Sequence, residues 1–149
     1  MTRQFITFQI GEQSLGVDIM AIREIRAWTP TTILPHVPDH VRGVVNLRGT
    51  VLPVIDLGAR LGWGLTDPTA RHVIIVVRNR DQLQGLIVDA VSDIVTVEEA
   101  EMRPSPALTD HEAAECLDGI ISINGGMVML LALERLLVES FSPAAAEAA

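Results

Sequence analysis

Residues 43–57 read Gly-Val-Val-Asn-Leu-Arg-Gly-Thr-Val-Leu-Pro-Val-Ile-Asp-Leu. Two apolar runs rich in β-branched residues, at 44–47 and 51–55, flank a turn-forming Arg-Gly-Thr at 48–50. Such alternation of strand-forming runs and a glycine turn predicts a β-hairpin. Pro53 lies inside the second run and has no backbone N–H to offer to a ladder, so it predicts an edge strand or a bulge at that position.

Short strands continue on both sides of this hairpin. The strongest further signal is Asn124-Gly125-Gly126, because Asn-Gly readily adopts the positive φ angles of a tight hairpin turn. Only short helical turns are predicted, near residues 19–23, before Gly43, within 57–65 and over 133–139. Other strand-like runs occupy residues 5–10, 14–18, 73–77, 83–91, 94–97, 119–123 and 127–131. About nine short strands without long helices favour a β-barrel or sandwich and disfavour a βαβ nucleotide-binding fold.

The composition is typical of one ordinary globular domain, and the charged residues are distributed unevenly along the chain. The chain has 149 residues, of which 48% are hydrophobic, and its 11 basic residues are all arginine against 19 acids. The first 80 residues hold nine arginines and six acids, and the remainder holds two arginines and thirteen acids. The net charge of −8 argues against non-specific nucleic-acid binding, which depends on neutralising phosphates, and there is no polybasic segment for an anionic membrane.

The same sequence predicts a cytoplasmic location. The first residues alternate instead of forming the continuous apolar block of a signal peptide, and the longest apolar run, residues 127–133, is too short to cross a bilayer. Cys116 is the one cysteine, so no disulfide forms within the chain, which fits a reducing compartment. We therefore expect a soluble cytoplasmic protein.

Signals of catalysis or cofactor binding are weak. The phosphate-binding glycine motifs and the Gly-x-Ser-x-Gly elbow are absent, and neither a metal nor a cofactor is predicted. His36 and His40 have a spacing that suits a metal on a helix, but Pro38 between them favours two loop histidines. Cys116 lies among acidic residues, which disfavours a reactive thiolate and favours a partly buried structural cysteine.

Three aspartates leave a rival hypothesis open. Asp56, Asp89 and Asp93 each adjoin apolar strand residues, so roles in turns or at strand edges are expected. The rival is a small enzyme or ligand-binding protein that uses one of these carboxylates. That function would require a pocket with convergent polar groups, and no sequence pattern indicates one.

Two segments combine apolar residues with charges of both signs. They are residues 22–26, Ile-Arg-Glu-Ile-Arg, and residues 41–49. One interpretation is a solvated strand face whose alternate side is buried. The other is a protein-binding surface in which Ile22 supplies apolar contact and Glu24 and Arg48 fix the orientation, while Gly43 permits close backbone approach.

The sequence resembles the CheW-like family of chemotaxis coupling proteins. The resemblance is carried by residues 43–57, by 17–19 with 22–26, by Gly-Leu-Ile-Val-Asp-Ala-Val-Ser-Asp-Ile at 85–94 and by Met-Arg-Pro-Ser-Pro at 102–106. These blocks occur in family order from about residue 5 to residue 137. The same domain occurs in a chemotaxis kinase, but 149 residues leave no room for a kinase or receiver domain, so a stand-alone adaptor is expected.

The resemblance implies a mainly β fold of two packed, SH3-like, five-stranded β-barrel subdomains, with short helical turns and a short C-terminal helix. One domain would span residues 1–141, its interleaved subdomains dividing near 65–71, and residues 142–149 would form a flexible tail. The family links the cytoplasmic tips of chemoreceptors to the regulatory domain of the histidine kinase CheA in membrane-associated arrays. A close alternative is the same scaffold in a non-motility pathway, such as surface motility or second-messenger control.

The resemblance also assigns residues to partners. The receptor-facing positions are Ile22, Glu24, Gly43, Asn46, Arg48 and Val73. The kinase-facing positions are Ile19, Arg103 and Leu108. This chain departs from the family at 107–108, where Ala-Leu replaces a frequent acidic residue and phenylalanine, and at Trp28, which replaces a frequent Gly-aromatic pair. Leu108 keeps an apolar contact but loses aromatic area.

Overall fold

The protein is described by a computed structural model over residues 2–79, 82–104, 116–123 and 125–136. Its ten strands are β1 (Thr2–Ile10), β2 (Gln13–Asp18), β3 (Ile22–Ala27), β4 (Val41–Leu47), β5 (Thr50–Asp56), β6 (Val73–Asn79), β7 (Gln82–Val88), β8 (Ala90–Glu98), β9 (Leu117–Ile123) and β10 (Gly126–Leu131). Its helical elements within these ranges are α1 (Leu57–Arg60), α2 (Leu133–Leu136) and the 3₁₀ turns Ile19–Ala21 and Glu99–Glu101. The predicted mainly β class is confirmed.

The strands form two five-stranded sheets. Sheet A has the order β8-β1-β2-β10-β9, and sheet B has the order β3-β6-β7-β5-β4. Neighbouring strands are antiparallel except for β2 with β10 and β5 with β7, which are parallel. The hairpins predicted at residues 43–57 and around Asn124 are present as β4–β5 and β9–β10.

The two sheets are interleaved along the chain. Every strand of sheet B lies within residues 22–88, while sheet A joins β1 and β2 to β8, β9 and β10 from the other end. The boundary predicted near residues 65–71 falls between β5 and β6 and does not separate the sheets, because β6 and β7 complete sheet B. Residues 22–88 hold eight arginines and five acids, whereas the rest of the chain holds three arginines and fourteen acids.

The core consists of three apolar clusters, one on each sheet and one between the two sheets. One face of sheet A encloses Phe5, Val97, Ile121, Val128 and Leu130, and one face of sheet B encloses Leu52, Val54, Ile74, Val76 and Ile87. The opposite faces meet in a larger cluster, here called the shared core, which includes Phe8, Leu15, Ile55, Ile75 and Leu86. Full burial of each large side chain stabilises the fold by about 1.5–3 kcal/mol. The shared core therefore fixes one sheet on the other.

The sequence predicts an edge strand or a bulge at Pro53, and the edge-strand alternative is wrong. The register of β4 against β5 does shift between Val41 and Gly43, close to the Val44–Pro53 pair. β5 lies between β4 and β7 in the interior of sheet B. Pro53 is tolerated there because Val44, directly opposite on β4, exchanges its hydrogen bonds with Thr32 on the outer side at 2.9 Å. The proline nitrogen thus faces away from β4, and the ladder to β7 begins only at Val54.

The helical turn predicted over residues 19–23 is shorter than expected. The 3₁₀ turn ends at Ala21, because Ile22 already pairs with Val77 across sheet B. Residues 38–40 form a turn closed by the Val41 N–H to the Pro38 carbonyl, after which β4 begins directly. The C-terminal helix is present as α2, and the part of its prediction beyond Leu136 lies outside the described residues.

Candidate functional site

The edge strand β3 presents apolar side chains toward the junction of the two sheets. Ile22 lies opposite Val77 and Ile25 lies opposite Ile75, and both partners belong to the shared core. Residues directly opposite each other in a sheet project to the same face. Ile22 packs against the shared core, while Ile25 on the same face leaves 42% of its surface exposed.

Two valines, one from each sheet, are also partly buried against the shared core. They are Val73, at the start of β6, and Val91, in β8 of sheet A. Val91 and Ile25 were not among the residues predicted from the sequence, although the alternation of β3 could have indicated Ile25.

A charged pair joins the two edges of sheet B on the face of β3 that points away from the shared core, because Glu24 lies opposite Val76 of sheet B's own apolar cluster. Arg48, in the β4–β5 turn, makes a salt bridge with Glu24 on β3, and Arg26 Nη1 lies 3.5 Å from the same carboxylate. Strands β3 and β4 are the opposite ends of the sheet order, so the sheet curls until its edges meet. Arg48 is 71% exposed, and such a pair contributes at most about 1 kcal/mol to folding. Its charges remain available to a partner.

The β4–β5 turn holds Arg48 in a fixed orientation. Arg48 and Gly49 both have positive φ, at 50° and 89°, as tight hairpin turns require. The exposed Asn46 accepts a 2.8 Å hydrogen bond from the Gly49 N–H through Oδ1. Asn46 therefore stabilises the turn that presents Arg48, in addition to the partner contact that the resemblance implies.

Gly43 is buried and makes room for the protein's own backbone. A Cβ atom there would lie 2.2 Å from the Thr32 carbonyl oxygen, and the residue has a φ of 143°. The close backbone approach predicted at Gly43 is therefore made by the segment that precedes β4.

Replacing Gly43 by alanine should lower the free energy of unfolding by about 2–3 kcal/mol, since both the backbone strain and the clash with Thr32 must be relieved. Urea unfolding followed by circular dichroism measures this change. Gly49→Ala is the matched control, because Gly49 also has positive φ but no atom within 4 Å of an added Cβ. An equal loss in the two variants would contradict the clash.

Two predicted kinase-facing residues, Ile19 and Arg103, are linked through their neighbours, because Arg3 donates to Asp18 Oδ2 at 2.8 Å and its Nη1 lies 3.7 Å from the sulfur of Met102. Ile19 is half-buried in the 3₁₀ turn between β2 and β3, next to Met20, which is 88% exposed. Arg103 is exposed after the second 3₁₀ turn, and its backbone pairs with Ile120 along the outer side of β9. Leu108 lies outside the described residues. The predicted receptor-facing set belongs to sheet B, whereas Arg103 is attached to sheet A.

The three aspartates have structural contacts. Asp56 is fully buried and caps α1, accepting hydrogen bonds from the Ala59 N–H and from both the N–H and the hydroxyl of Thr66. Asp93 is exposed and accepts from the N–H of Ile94. Asp89 accepts from the N–H of Gly11 at a cavity of about 410 Å³ beside the exposed Trp63 and Leu65.

The other chemistry-bearing residues are dispersed. His36 is exposed, His40 is half-buried and Cys116 is fully buried. Across the described ranges, no group of three histidine, cysteine or acidic side chains could hold a metal ion. Within the same ranges, the helices are too short to span a membrane.

Known proteins are similar to this chain in sequence and in fold. Residues 4–141 match the CheW-like domain family. The chain is 50% identical to a probable chemotaxis protein CheW of Rhizobium etli, covering 96% of this chain and 92% of that one. It is 47% identical to the chemotaxis protein CheW of Rhizobium meliloti over 89% of this chain and 85% of the relative. The crystal structure of the scaffolding protein TtCheW from Thermoanaerobacter tengcongensis superposes with a TM-score of 0.81 at 32% identity, covering 89% and 86% of the two chains.

Proposed function

This chain belongs to the CheW-like domain family, and from that membership we propose that it is a non-catalytic chemotaxis adaptor. In this proposal it couples the cytoplasmic tips of chemoreceptors to the regulatory domain of a CheA-type histidine kinase. It acts in the cytoplasm and is recruited to membrane-associated receptor arrays. Its relatives include proteins named for chemotaxis and one named for scaffolding, which supports the proposal.

The observation that carries the receptor assignment is the contact of Glu24 on β3 with Arg48 in the β4–β5 turn, which brings two distant segments together at the edge of sheet B. Ile22 and Val73 lie on the other face at opposite ends of the β3–β6 pair, since Ile22 is opposite Val77 and Val73 is opposite Ala27. Apolar side chains on one face of β3 and a pair of charges at the same sheet edge would suit the amphipathic surface of a helical receptor tip. The apolar residues would provide contact area, and Glu24 with Arg48 would set the orientation.

Scaffolding by this chain requires several small interfaces at once. A standard interface buries about 1,600 Å² in total, and a 149-residue protein cannot devote that area to every partner. Each contact is therefore modest, and the lattice adds them through multivalency. Signal transfer is then a shift in the kinase's conformational populations when the receptor contact changes.

The direct test is reconstitution from purified components. The full chain is mixed with a receptor cytoplasmic fragment and with a kinase regulatory domain from the same genome, and binding is measured by calorimetry and size-exclusion chromatography. We expect binary binding to each partner and a ternary complex. Absence of binding to both partners would overturn the proposal.

The non-motility alternative differs in its partners and not in its fold. Two relatives named as chemotaxis proteins, at the highest identities given above, favour the chemotaxis assignment. Deletion of the gene separates the alternatives: loss of swimming up an attractant gradient supports the assignment. Normal gradient responses with altered surface motility or second-messenger levels would instead support the alternative.

Replacing Leu108 by aspartate should impair array assembly without removing pairwise kinase binding. The family resemblance implies that Arg103 and the Leu108 region form a second kinase contact, which closes array rings, and a charge at Leu108 opposes burial there. Cryo-tomography of cells and a kinase-binding assay measure the two effects. Undisturbed lattices in the variant would contradict the role of Leu108.

A further inference from the structure

The two sheets are built on one plan. Each consists of an edge strand followed by two hairpins, and the two hairpins meet in the parallel strand pair of the sheet. In this plan β3 of sheet B corresponds to β8 of sheet A, and the hairpin β4–β5 corresponds to β9–β10. Residues of the two sheets can therefore be compared position by position.

Both edge strands carry the same irregularity. In β3 one residue is left over between Ile22 and Glu24, which lie opposite two consecutive residues of β6. In β8 one residue is left over between Val91 and Asp93, which lie opposite two consecutive residues of β1. A bulge re-aims the side chains beside it. Its repetition places Glu24 and Asp93 at equivalent positions.

Both sheets are also closed in the same way. Thr32 forms a single bridge to β4, and Arg103 forms a single bridge to β9. A glycine makes room for each bridge, because an added Cβ would lie 2.2 Å from the Thr32 carbonyl oxygen at Gly43 and 2.8 Å from the Arg103 carbonyl oxygen at Gly119. The two glycines therefore mark equivalent positions in the hairpins β4–β5 and β9–β10.

The equivalent carboxylates differ in their arginine partners. In sheet B, Arg48 makes a salt bridge with Glu24, and Arg26 Nη1 lies 3.5 Å from the same carboxylate. Counted along the chain from the matching residues, the places of Arg26 and Arg48 are taken in sheet A by Val95 and by Asn124, which lies outside the described residues. Within the described part of the chain, Asp93 pairs with no arginine.

A cavity of about 210 Å³ lies between Asp93 and the β9–β10 hairpin, and we call it the sheet A cavity. Its walls are mixed: Thr7, Gln9 and Ser14 contribute polar atoms, and Met127, which is 58% exposed, contributes apolar surface. Pockets for small molecules usually measure about 300–1,000 Å³. The sheet A cavity therefore suits a single side chain.

The polar groups of the sheet A cavity offer acceptors for a cation. Asp93 is exposed, and its Oδ1 accepts a 2.8 Å hydrogen bond from the Ile94 N–H, so its Oδ2 remains available. The Gln9 Nε2 donates to Ser14 Oγ at 2.8 Å, which leaves the amide oxygen of Gln9 as an acceptor. A guanidinium presents five N–H donors in a planar fork and so matches a carboxylate beside an amide oxygen better than an ammonium does.

We propose that the sheet A cavity is a docking site for an arginine side chain of a partner protein, which takes the place beside Asp93 that Arg48 takes beside Glu24. The acid-rich part of the chain outside residues 22–88 attracts such a cation. The described lining of the cavity has no basic group for the α-carboxylate of free arginine, whereas the exposed Met127 offers contact to the chain that flanks a protein arginine.

This inference goes beyond the proposed function. The lining of the sheet A cavity includes none of the residues assigned to the receptor or to the kinase. The cavity is therefore a separate contact surface, and its test uses neither of those partners.

The experiment is a titration of the full chain followed by heteronuclear NMR. The probe is Nα-acetyl-arginine N-methylamide, which carries the side chain as a protein does, and the matched control is the same derivative of citrulline, which has the shape but not the charge. We expect the arginine probe to shift the amide signals of Thr7, Gln9, Asp93 and Met127. The citrulline derivative should bind at least about tenfold more weakly.

Three variants locate the probe. Asp93→Asn should weaken binding at least about tenfold, because the charged acceptor is lost. Asn124→Arg places an arginine before Gly125, as Arg48 precedes Gly49, and should abolish the shifts by filling the cavity from within. Glu99→Gln removes an exposed acid of the 3₁₀ turn after β8 and should stay within about twofold of the wild type. Thermal melting shows that the variants are folded.

Three results would overturn the docking site. They are an absence of localised shifts, equal binding of the citrulline derivative, and binding that neither Asp93→Asn nor Asn124→Arg reduces. Free arginine is titrated in parallel. If it binds at least about tenfold more tightly than the blocked probe, the cavity is a site for the amino acid and the assignment to a partner protein is wrong.

Discussion

Arg48→Glu is expected to weaken binding to the receptor cytoplasmic tip by at least about tenfold, which corresponds to about 1.4 kcal/mol. The substitution reverses a charge that is 71% exposed and places it beside Glu24. Like charges oppose both the local pair and a complementary partner. Kinase binding should be nearly unchanged, because Arg48 lies in a turn of sheet B, whereas Ile19 follows β2 and Arg103 pairs with β9, both strands of sheet A. Calorimetry with each purified partner measures both affinities.

The charge-swapped double variant, Glu24→Arg with Arg48→Glu, is the matched control. It restores an ion pair across the edges of sheet B but reverses the order of the charges that a partner meets. Binding that stays weak in the double variant supports direct contact of Arg48 with the receptor. Full recovery would show that only the internal pair matters, and equal loss of kinase binding in the single variant would contradict the site assignment.

Asp56→Ala should lower the free energy of unfolding by about 3–4 kcal/mol, the largest effect on stability expected in this chain. Three donors, the Ala59 N–H and the N–H and hydroxyl of Thr66, would lose their acceptor in a buried place. Each unsatisfied group costs about 1–3 kcal/mol, and effects within one network are not additive. Urea unfolding monitored by tryptophan fluorescence measures the loss, and Trp63 lies in the loop that Asp56 organises.

Asp93→Ala is the control for this substitution, since Asp93 is exposed and its carboxylate accepts from the adjacent N–H of Ile94. It should change the free energy of unfolding by less than about 1 kcal/mol. A similarly small change for Asp56→Ala would show that water replaces the carboxylate. A large change with intact partner binding would also separate Asp56 from any role in a binding or catalytic site.

The local parts of this fold follow from the sequence, and its long-range parts do not. Alternating apolar residues and the turns at 48–50 and 124–126 predict the hairpins, because both signals act between neighbours in the chain. Sheet membership depends on pairings between distant strands, which carry no local signal. Pro53 shows the consequence: the sequence predicts an edge strand or a bulge there, because the interior position of Pro53 depends on a parallel partner, β7, and on Thr32 beyond β4.

The candidate site likewise has local features that the sequence predicts and long-range features that it does not. Interleaved charges at Glu24 and Arg48 indicated a recognition surface, but only the curl of sheet B brings the two side chains into contact. The sequence predicts that a partner's backbone comes close at Gly43, because a glycine indicates close packing but does not indicate which segment packs there. The sequence does not predict Val91, because its partial burial between the sheets depends on how sheet A packs against sheet B.

The interleaving of the sheets also sets an order for synthesis on the ribosome. All five strands of sheet B are available once residue 88 has left the exit tunnel, so that sheet can close early. Strands β1 and β2 are made first, but their remaining neighbours β8 and β10 are made much later. Such distant pairings slow folding and prolong the exposure of strand edges. The N-terminal hairpin is thus the first segment translated and among the last to find all of its neighbours, so its strand edges stay unpaired while most of the chain is made.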